Sequence, residues 1–191
     1  SRELKTLGYN MPSFADVDGD GDSDLLVSVL YREEDQDNFW YYKNVGTSAS
    51  PQFQLFTKNL LEHVDVGRDA HPIMADLDND GRIDLILGSY NGAIHFFRQT
   101  ANGTFQKNVT WSVTMPTDEF ISAPTLGDLD NDGDLDLLVG KYDGKIIFYR
   151  NTGAKNSPTF TLENNFYSNI DIGNSSSPCL SDFDGDGDLD L

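Results

Sequence analysis

The pattern D-x-D-x-D-G-x-x-D occurs four times in this chain of 191 residues, beginning at Asp16, Asp76, Asp128 and Asp182. A nine-residue motif returning after 60, 52 and 54 residues marks a repeat architecture, in which each unit buries its apolar face only against its neighbours. The copies agree beyond their acids. A proline stands four residues ahead of each first aspartate, at Pro12, Pro72, Pro124 and Pro178.

The first three motifs run directly into DLLVSVL, DLILGSY and DLLVGKY, starting at Asp24, Asp84 and Asp136. These apolar runs are too short for helices and rich in β-formers, so they read as buried strands. Asn91-Gly92 and Asp143-Gly144 follow two of them, the preferred chemistry of a type I′ hairpin turn. The strand each turn leads to is Ala93 to Arg98 or Lys145 to Arg150, with Phe39 to Lys43 as the counterpart in the first repeat. A fourth strand starts near Phe53, Phe105 and Phe160, reached in the first and third repeats through matching turns from Asn44 and Asn151. Four antiparallel strands about every 50 residues describe a blade of an all-β propeller better than a helical solenoid.

The expected division is one domain over 1–191. Residues 1–11 end a preceding blade, 12–71 form the first full blade, 72–123 the second, 124–177 the third, and 178–191 start a fourth. Three blades and a start do not close a ring, and an open arc leaves a blade face and strand edges in water. The expectation is therefore an arc of a longer polypeptide.

Within each loop, positions 1, 3, 5 and 9 bring four carboxylates together. They are Asp16, Asp18, Asp20 and Asp24 in the first loop; Asp76, Asp78, Asp80 and Asp84 in the second; Asp128, Asp130, Asp132 and Asp136 in the third; and Asp182, Asp184, Asp186 and Asp190 in the fourth. Two carboxylates ~5 Å apart repel by roughly 3 kcal/mol at an effective dielectric of ~20, so such a cluster calls for a cation. Glycine at position 6 permits the sharp turn, and the position-7 carbonyls of Asp22, Arg82, Asp134 and Asp188 supply a further oxygen. Arg82 fits that role only through its backbone, with its side chain turned to solvent. All-oxygen ligation by flexible carboxylates selects Ca²⁺ over Mg²⁺ and zinc. One Ca²⁺ per loop is the expected cofactor, which would move the formal charge from -19 to about -11 by adding two charges at each loop.

The loop and its strand, FADVDGDGDSDLLV from Phe14 and LGDLDNDGDLDLLVG from Leu126, resemble the FG-GAP and VCBS repeat family over essentially the whole chain. The stretches LGSY and VGKY lie nearer the VCBS variant. The resemblance implies a calcium-binding propeller, usually of seven blades, with metal loops joining the first and second strands on the lower face. It also implies that ligands meet the opposite face.

The charge of -19 excludes nucleic acid, whose phosphates need a Lys/Arg surface. No run is long and apolar enough for a membrane-spanning helix. Cys179, the single cysteine, has no internal partner for a disulfide. No metalloprotease, serine-hydrolase, P-loop or dinucleotide motif is present, and His63, His71 and His95 are scattered, so a non-enzymatic role is expected. The leading reading is a calcium-stabilised extracellular or cell-surface module for adhesion, surface assembly or ligand binding, with a protein or glycan partner or with copies of itself. The alternative is a carbohydrate-binding or catalytic domain of a secreted carbohydrate-active enzyme. Trp40, Tyr41 and Tyr42 suit interblade packing better than a sugar platform, and the acidic hairpin from Glu33 to Asn38 is a candidate contact loop. Sequons at Asn102, Asn108 and Asn174 would accept glycans on the secretory route.

Overall fold

The computed structural model describes residues 10–29, 39–62, 70–116 and 122–191. The Glu33 to Asn38 hairpin, His63 and residues 1–9 lie outside them. Among the described residues the chain forms three four-stranded antiparallel sheets. Blade 1 holds β1 (Asn10–Ala15), β2 (Asp24–Val29), β3 (Phe39–Asn44) and β4 (Phe53–Thr57). Blade 2 holds β5 (His71–Ala75), β6 (Asp84–Gly88), β7 (Ile94–Gln99) and β8 (Phe105–Asn108). Blade 3 holds β9 (Ala123–Gly127), β10 (Asp136–Gly140), β11 (Ile146–Asn151) and β12 (Phe160–Asn164).

Strands neighbour each other in chain order within every blade. The prolines fall on the edge strand, with Pro12 opposite Val27, Pro72 opposite Leu87 and Pro124 opposite Val139. An edge strand tolerates the missing N–H. The first strands β1, β5 and β9 lie side by side, which is how blades of a propeller stack around an axis. The sheets do not close on one another. Past β12, the start of a fourth unit makes a bridge between Ser181 and Asp190, the same pairing that joins Ala15 to Asp24 and Ala75 to Asp84.

The period of two along each second strand sorts its residues between two neighbouring blades. Leu26, Phe39 and Tyr41 of blade 1 pack with Leu85, Leu87 and Phe97 of blade 2. On the other face of blade 2, Ile86 and Phe96 pack with Leu137, Val139, Ile147 and Tyr149 of blade 3. Leu138, Ile146 and Phe148 of blade 3 then meet Leu180 ahead of the fourth motif. Each large side chain fully removed from water contributes about 1.5–3 kcal/mol, so these two-faced sheets explain the unbroken apolar runs. Trp40, Tyr41 and Tyr42 are all buried, in agreement with a packing role.

The hairpins differ from the expected type I′ turn. Gly92 is at φ 81° and Gly144 at φ 83°, but Asn91 and Asp143 are not in the left-handed region. The loops are longer, with Ser89 N–H donating to Ala93 O and Gly92 N–H to Ser89 O. Lys141 pairs in the same way with Lys145 and Gly144. This is a type I turn completed by a left-handed glycine, the three-residue alternative to the two-residue hairpin.

Interblade contacts also repeat. Ser122, two residues ahead of Pro124, donates its Oγ to Ala93 O at 2.9 Å and accepts the Ser89 N–H at 2.8 Å. Ser176, two residues ahead of Pro178, does the same with Lys145 O at 2.6 Å and the Lys141 N–H at 2.8 Å. The equivalent residue between blades 1 and 2 is Ala70, and there Ser28 Oγ supplies the bond, donating to Ala70 O at 2.7 Å.

Candidate metal centre

Each aspartate loop joins the first and second strands of its blade, and backbone conformation accounts for its tightness. Position 6 is left-handed in all four loops, at Gly21, Gly81, Gly133 and Gly187. Position 4 is left-handed too, at Gly19, Asn79, Asn131 and Gly185. Glycine and asparagine are the residues that adopt this conformation at least cost, so the alternation at position 4 was a readable signal that the nine-residue pattern passed over.

The first carboxylate caps the loop from within. Asp16 accepts the N–H groups of Gly19 and Gly21 at 2.8 and 2.9 Å, and Asp182 those of Gly185 and Gly187 at 2.7 and 3.1 Å. Asp76 and Asp128 accept the position-6 N–H in the same way. The position-5 acids Asp20, Asp80, Asp132 and Asp186 each accept the N–H of position 7.

The position-9 acid ties the loop to the blade. Asp24 Oδ2 accepts the Val17 N–H at 3.1 Å and Oδ1 the Asn44 N–H at 2.7 Å. Asp84 bonds Leu77 and Gln99, and Asp136 bonds Leu129 and Asn151, through the same atoms. Asn44 and Asn151 in turn organise the following turn, each side chain accepting two backbone N–H groups. Asp24, Asp84 and Asp136 are buried. Burial pushes the Asp84 carboxyl up to about 7 although the Gln99 and Leu77 N–H groups oppose it, and burial raises Asp136 as well.

In every loop, one oxygen from each of three acids lies within 4.8 Å of the other two. The sets are Asp16, Asp18 and Asp24; Asp76, Asp78 and Asp84; Asp128, Asp130 and Asp132; and Asp182, Asp184 and Asp190. The third loop substitutes its position-5 acid for position 9. Asp78, which is 2% exposed, leaves Oδ1 without a hydrogen-bond partner. A buried, unsatisfied carboxylate oxygen is costly unless a cation meets it, and an all-carboxylate set suits a hard divalent ion. The residues therefore fit Ca²⁺.

Arg82 departs from the expected solvent-facing pose. Its guanidinium folds back to pair with Asp80, and Nε donates to Gln99 O at 3.1 Å. The sequence pattern also missed three basic residues on the third strands. Lys43 pairs with Asp18 and, at 3.4 Å, Asp20. Arg98 reaches Asp78 at 2.6 Å and Asp80 at 2.7 Å. Arg150 pairs with Asp130 and Glu163. Only three-dimensional pairing connects them to loops about 20 residues away. His95 is half-buried on β7 opposite Leu87 and belongs to none of the four carboxylate clusters.

Four-stranded blades with an aspartate loop at each first turn define an aspartate-loop type of β-propeller segment, here as an open arc. The FG-GAP-like repeat profile matches residues 16–86, 76–139 and 128–191, and the chain belongs to that family. It is 30% identical to cartilage acidic protein 1 of Xenopus tropicalis over 62% of its own length and 19% of the relative's. It thus spans about a fifth of that protein. A solved structure of an Agrocybe aegerita lectin, described as recognising non-reducing terminal N-acetylglucosamine, superposes with a TM-score of 0.53 at 17% identity. That likeness covers 85% of this chain and 42% of the lectin, and it shows the fold alone.

Proposed function

We propose that this chain is a calcium-stabilised extracellular or cell-surface propeller module, non-enzymatic, that serves adhesion, surface assembly or ligand binding. The observation that carries the reading is the fourfold gathering of carboxylate oxygens within 4.8 Å, with Asp78 Oδ1 buried and unmatched. The ligands are the acids at positions 1, 3, 5 and 9 and the position-7 carbonyls of all four loops. Sites of this kind in extracellular modules bind at roughly 10⁻⁴ to 10⁻³ M, which suits ambient calcium outside cells. The exposure of Asn174 supports its sequon as a glycan acceptor there; Asn102 is exposed too but lines the cleft between blades 1 and 2. Further blades complete the ring, to seven if it follows the usual number of the family.

Calorimetric titration of chelator-treated protein tests the reading. The expected result is four calcium ions bound per chain and a melting temperature that rises with calcium. Binding of no calcium, or a melting temperature indifferent to it, overturns the proposal.

One observation favours a glycan over a protein as ligand. A cleft of about 560 Å³ opens between blades 1 and 2, lined by Asp18, Lys43, Phe56, Thr100 and Thr104 among others. Phe56 is 72% exposed there and stands edge-on to Tyr41 at 5.6 Å. An open aromatic face beside hydroxyls and charges is suited to a sugar ring. Glycan-array binding that is lost in Phe56→Ala supports this ligand class, and binding unaffected by that change removes it.

A further inference from the structure

The third strand of each complete blade ends in a cation followed by the residue that bonds the position-9 acid: Lys43-Asn44, Arg98-Gln99 and Arg150-Asn151. In all three the cation turns onto the same oxygen, Oδ2, of the position-3 acid: Asp18, Asp78 or Asp130. In blades 1 and 2 it also reaches Oδ2 of the position-5 acid, Asp20 or Asp80. In blade 3 it turns instead to Glu163, with Nη2 to Oε1 at 3.0 Å. Asp132 stays outside its reach and joins the oxygen cluster of that loop.

We infer that Lys43, Arg98 and Arg150 are tethered counter-ions of the calcium loops, which hold the carboxylates together when calcium is scarce and lower the affinity of each loop for it. The inference rests on the calcium reading above. Three physical points support it.

Without an opposing charge, the acids of one loop would splay. A side chain already anchored on the neighbouring strand supplies that charge at little entropic cost. A lysine or arginine remains cationic throughout the physiological range, so it also repels a divalent ion placed among the same oxygens, an effect that buried surroundings strengthen.

The loops are consequently unequal. Loop 2 has four acids at positions 1 to 9 and two guanidiniums, since Arg82 and Arg98 both pair with Asp80. Loops 1 and 3 each carry a fifth acid at position 7, Asp22 or Asp134, against one cation. Loop 2 is the site filled last as calcium rises. Arg82 and Arg98 are the specificity-determining pair, setting how much calcium is needed to complete the series.

Calcium titration by calorimetry and melting in chelator, on the full-length chain, test this. In the wild type the weakest class of site disappears in Asp78→Ala. In Arg82→Gln/Arg98→Gln that class binds roughly tenfold tighter, the scale expected for removing like charge next to a divalent ion. The same variant melts at a lower temperature than wild type in chelator, while the gap narrows in saturating calcium. Arg98→Lys restores most of both properties. Lys43→Gln, at a side chain 37% exposed, gives a smaller shift in the same direction and covers the case in which the double variant fails to fold in chelator.

Unchanged or weaker calcium binding in these variants, with wild-type protein still taking up four ions, overturns the counter-ion inference and leaves the calcium reading intact. No calcium uptake by the wild type overturns both.

Discussion

Gly88, at the end of β6, lies so close to Ser122 at the start of the next blade that no side-chain carbon fits between them. A Cβ at Gly88 would overlap the Ser122 carbonyl oxygen and stand 2.7 Å from Pro124 Cδ. Gly140 has the same relationship to Ser176 and Pro178. In blade 1 the position is Ser28, whose hydroxyl bonds Ala70 O, so the first junction accommodates a side chain where the next two do not.

Gly88→Ala and Gly140→Ala are therefore expected to destabilise the chain by about 1–3 kcal/mol through overpacking at a backbone that must shift. Chemical denaturation monitored by tryptophan fluorescence measures this. Equal stability of the alanine variants would mean that adjacent blades slide apart freely.

Ser176 is 3% exposed and its hydroxyl joins the blade 3 hairpin to the lead-in of the fourth motif. Ser176→Ala leaves the Lys141 N–H without that acceptor. The Lys141 N–H keeps Lys145 O as its other acceptor, so the expected cost is about 0.5–1.5 kcal/mol, that of one ordinary hydrogen bond. Hydrogen exchange provides a local readout, with faster exchange at the Lys141 amide.

Asp136 and Asp134 belong to one loop but do different things. Asp136 accepts N–H donors on both oxygens, so Asp136→Asn turns an amide NH₂ toward a donor and is expected to cost about 1–3 kcal/mol. Asp134 contributes its carbonyl in the calcium reading, so Asp134→Asn is expected to retain the full number of bound ions. Loss of one ion in Asp134→Asn would shift the ligand register.

Burial, and secondarily the charge of Lys107, holds the His95 imidazole below its ordinary value. The folded state therefore resists a proton that the unfolded chain accepts. The stability linked to His95 is complete above about pH 6.5 and is lost as pH falls from there toward the folded-state value. His95→Ile, which installs the residue found at the equivalent Ile147 of blade 3, is expected to remove that rise of stability with pH and so shift the slope of melting temperature against pH downward in that interval, where the raised Asp84 carboxyl contributes the opposite slope. A slope identical to wild type would show that His95 does not contribute.

The division of labour between sequence and fold is clear at particular residues. The chain order of four strands per blade, the loops between first and second strands and the burial of Trp40, Tyr41 and Tyr42 were all readable. Short unbroken apolar runs, prolines at a fixed offset and repeated motifs are local properties of the chain. The hairpin turns were misread because Asn91-Gly92 and Asp143-Gly144 suit two turn families, and the longer one was chosen by bonds from Ser89 to Ala93 and from Lys141 to Lys145.

The amino-acid order by itself determined where carboxylates would be dense and which backbone positions could bend sharply enough to gather them. Tertiary structure alone decided which charges oppose those carboxylates, because Lys43, Arg98 and Arg150 reach their acids across the sheet rather than along the chain. It also decided that Gly88 and Gly140 must lack a side chain, since that requirement comes from the backbone of the adjoining blade. Electrostatic and steric partners separated by tens of residues leave no periodic mark, and only folding brings them into contact.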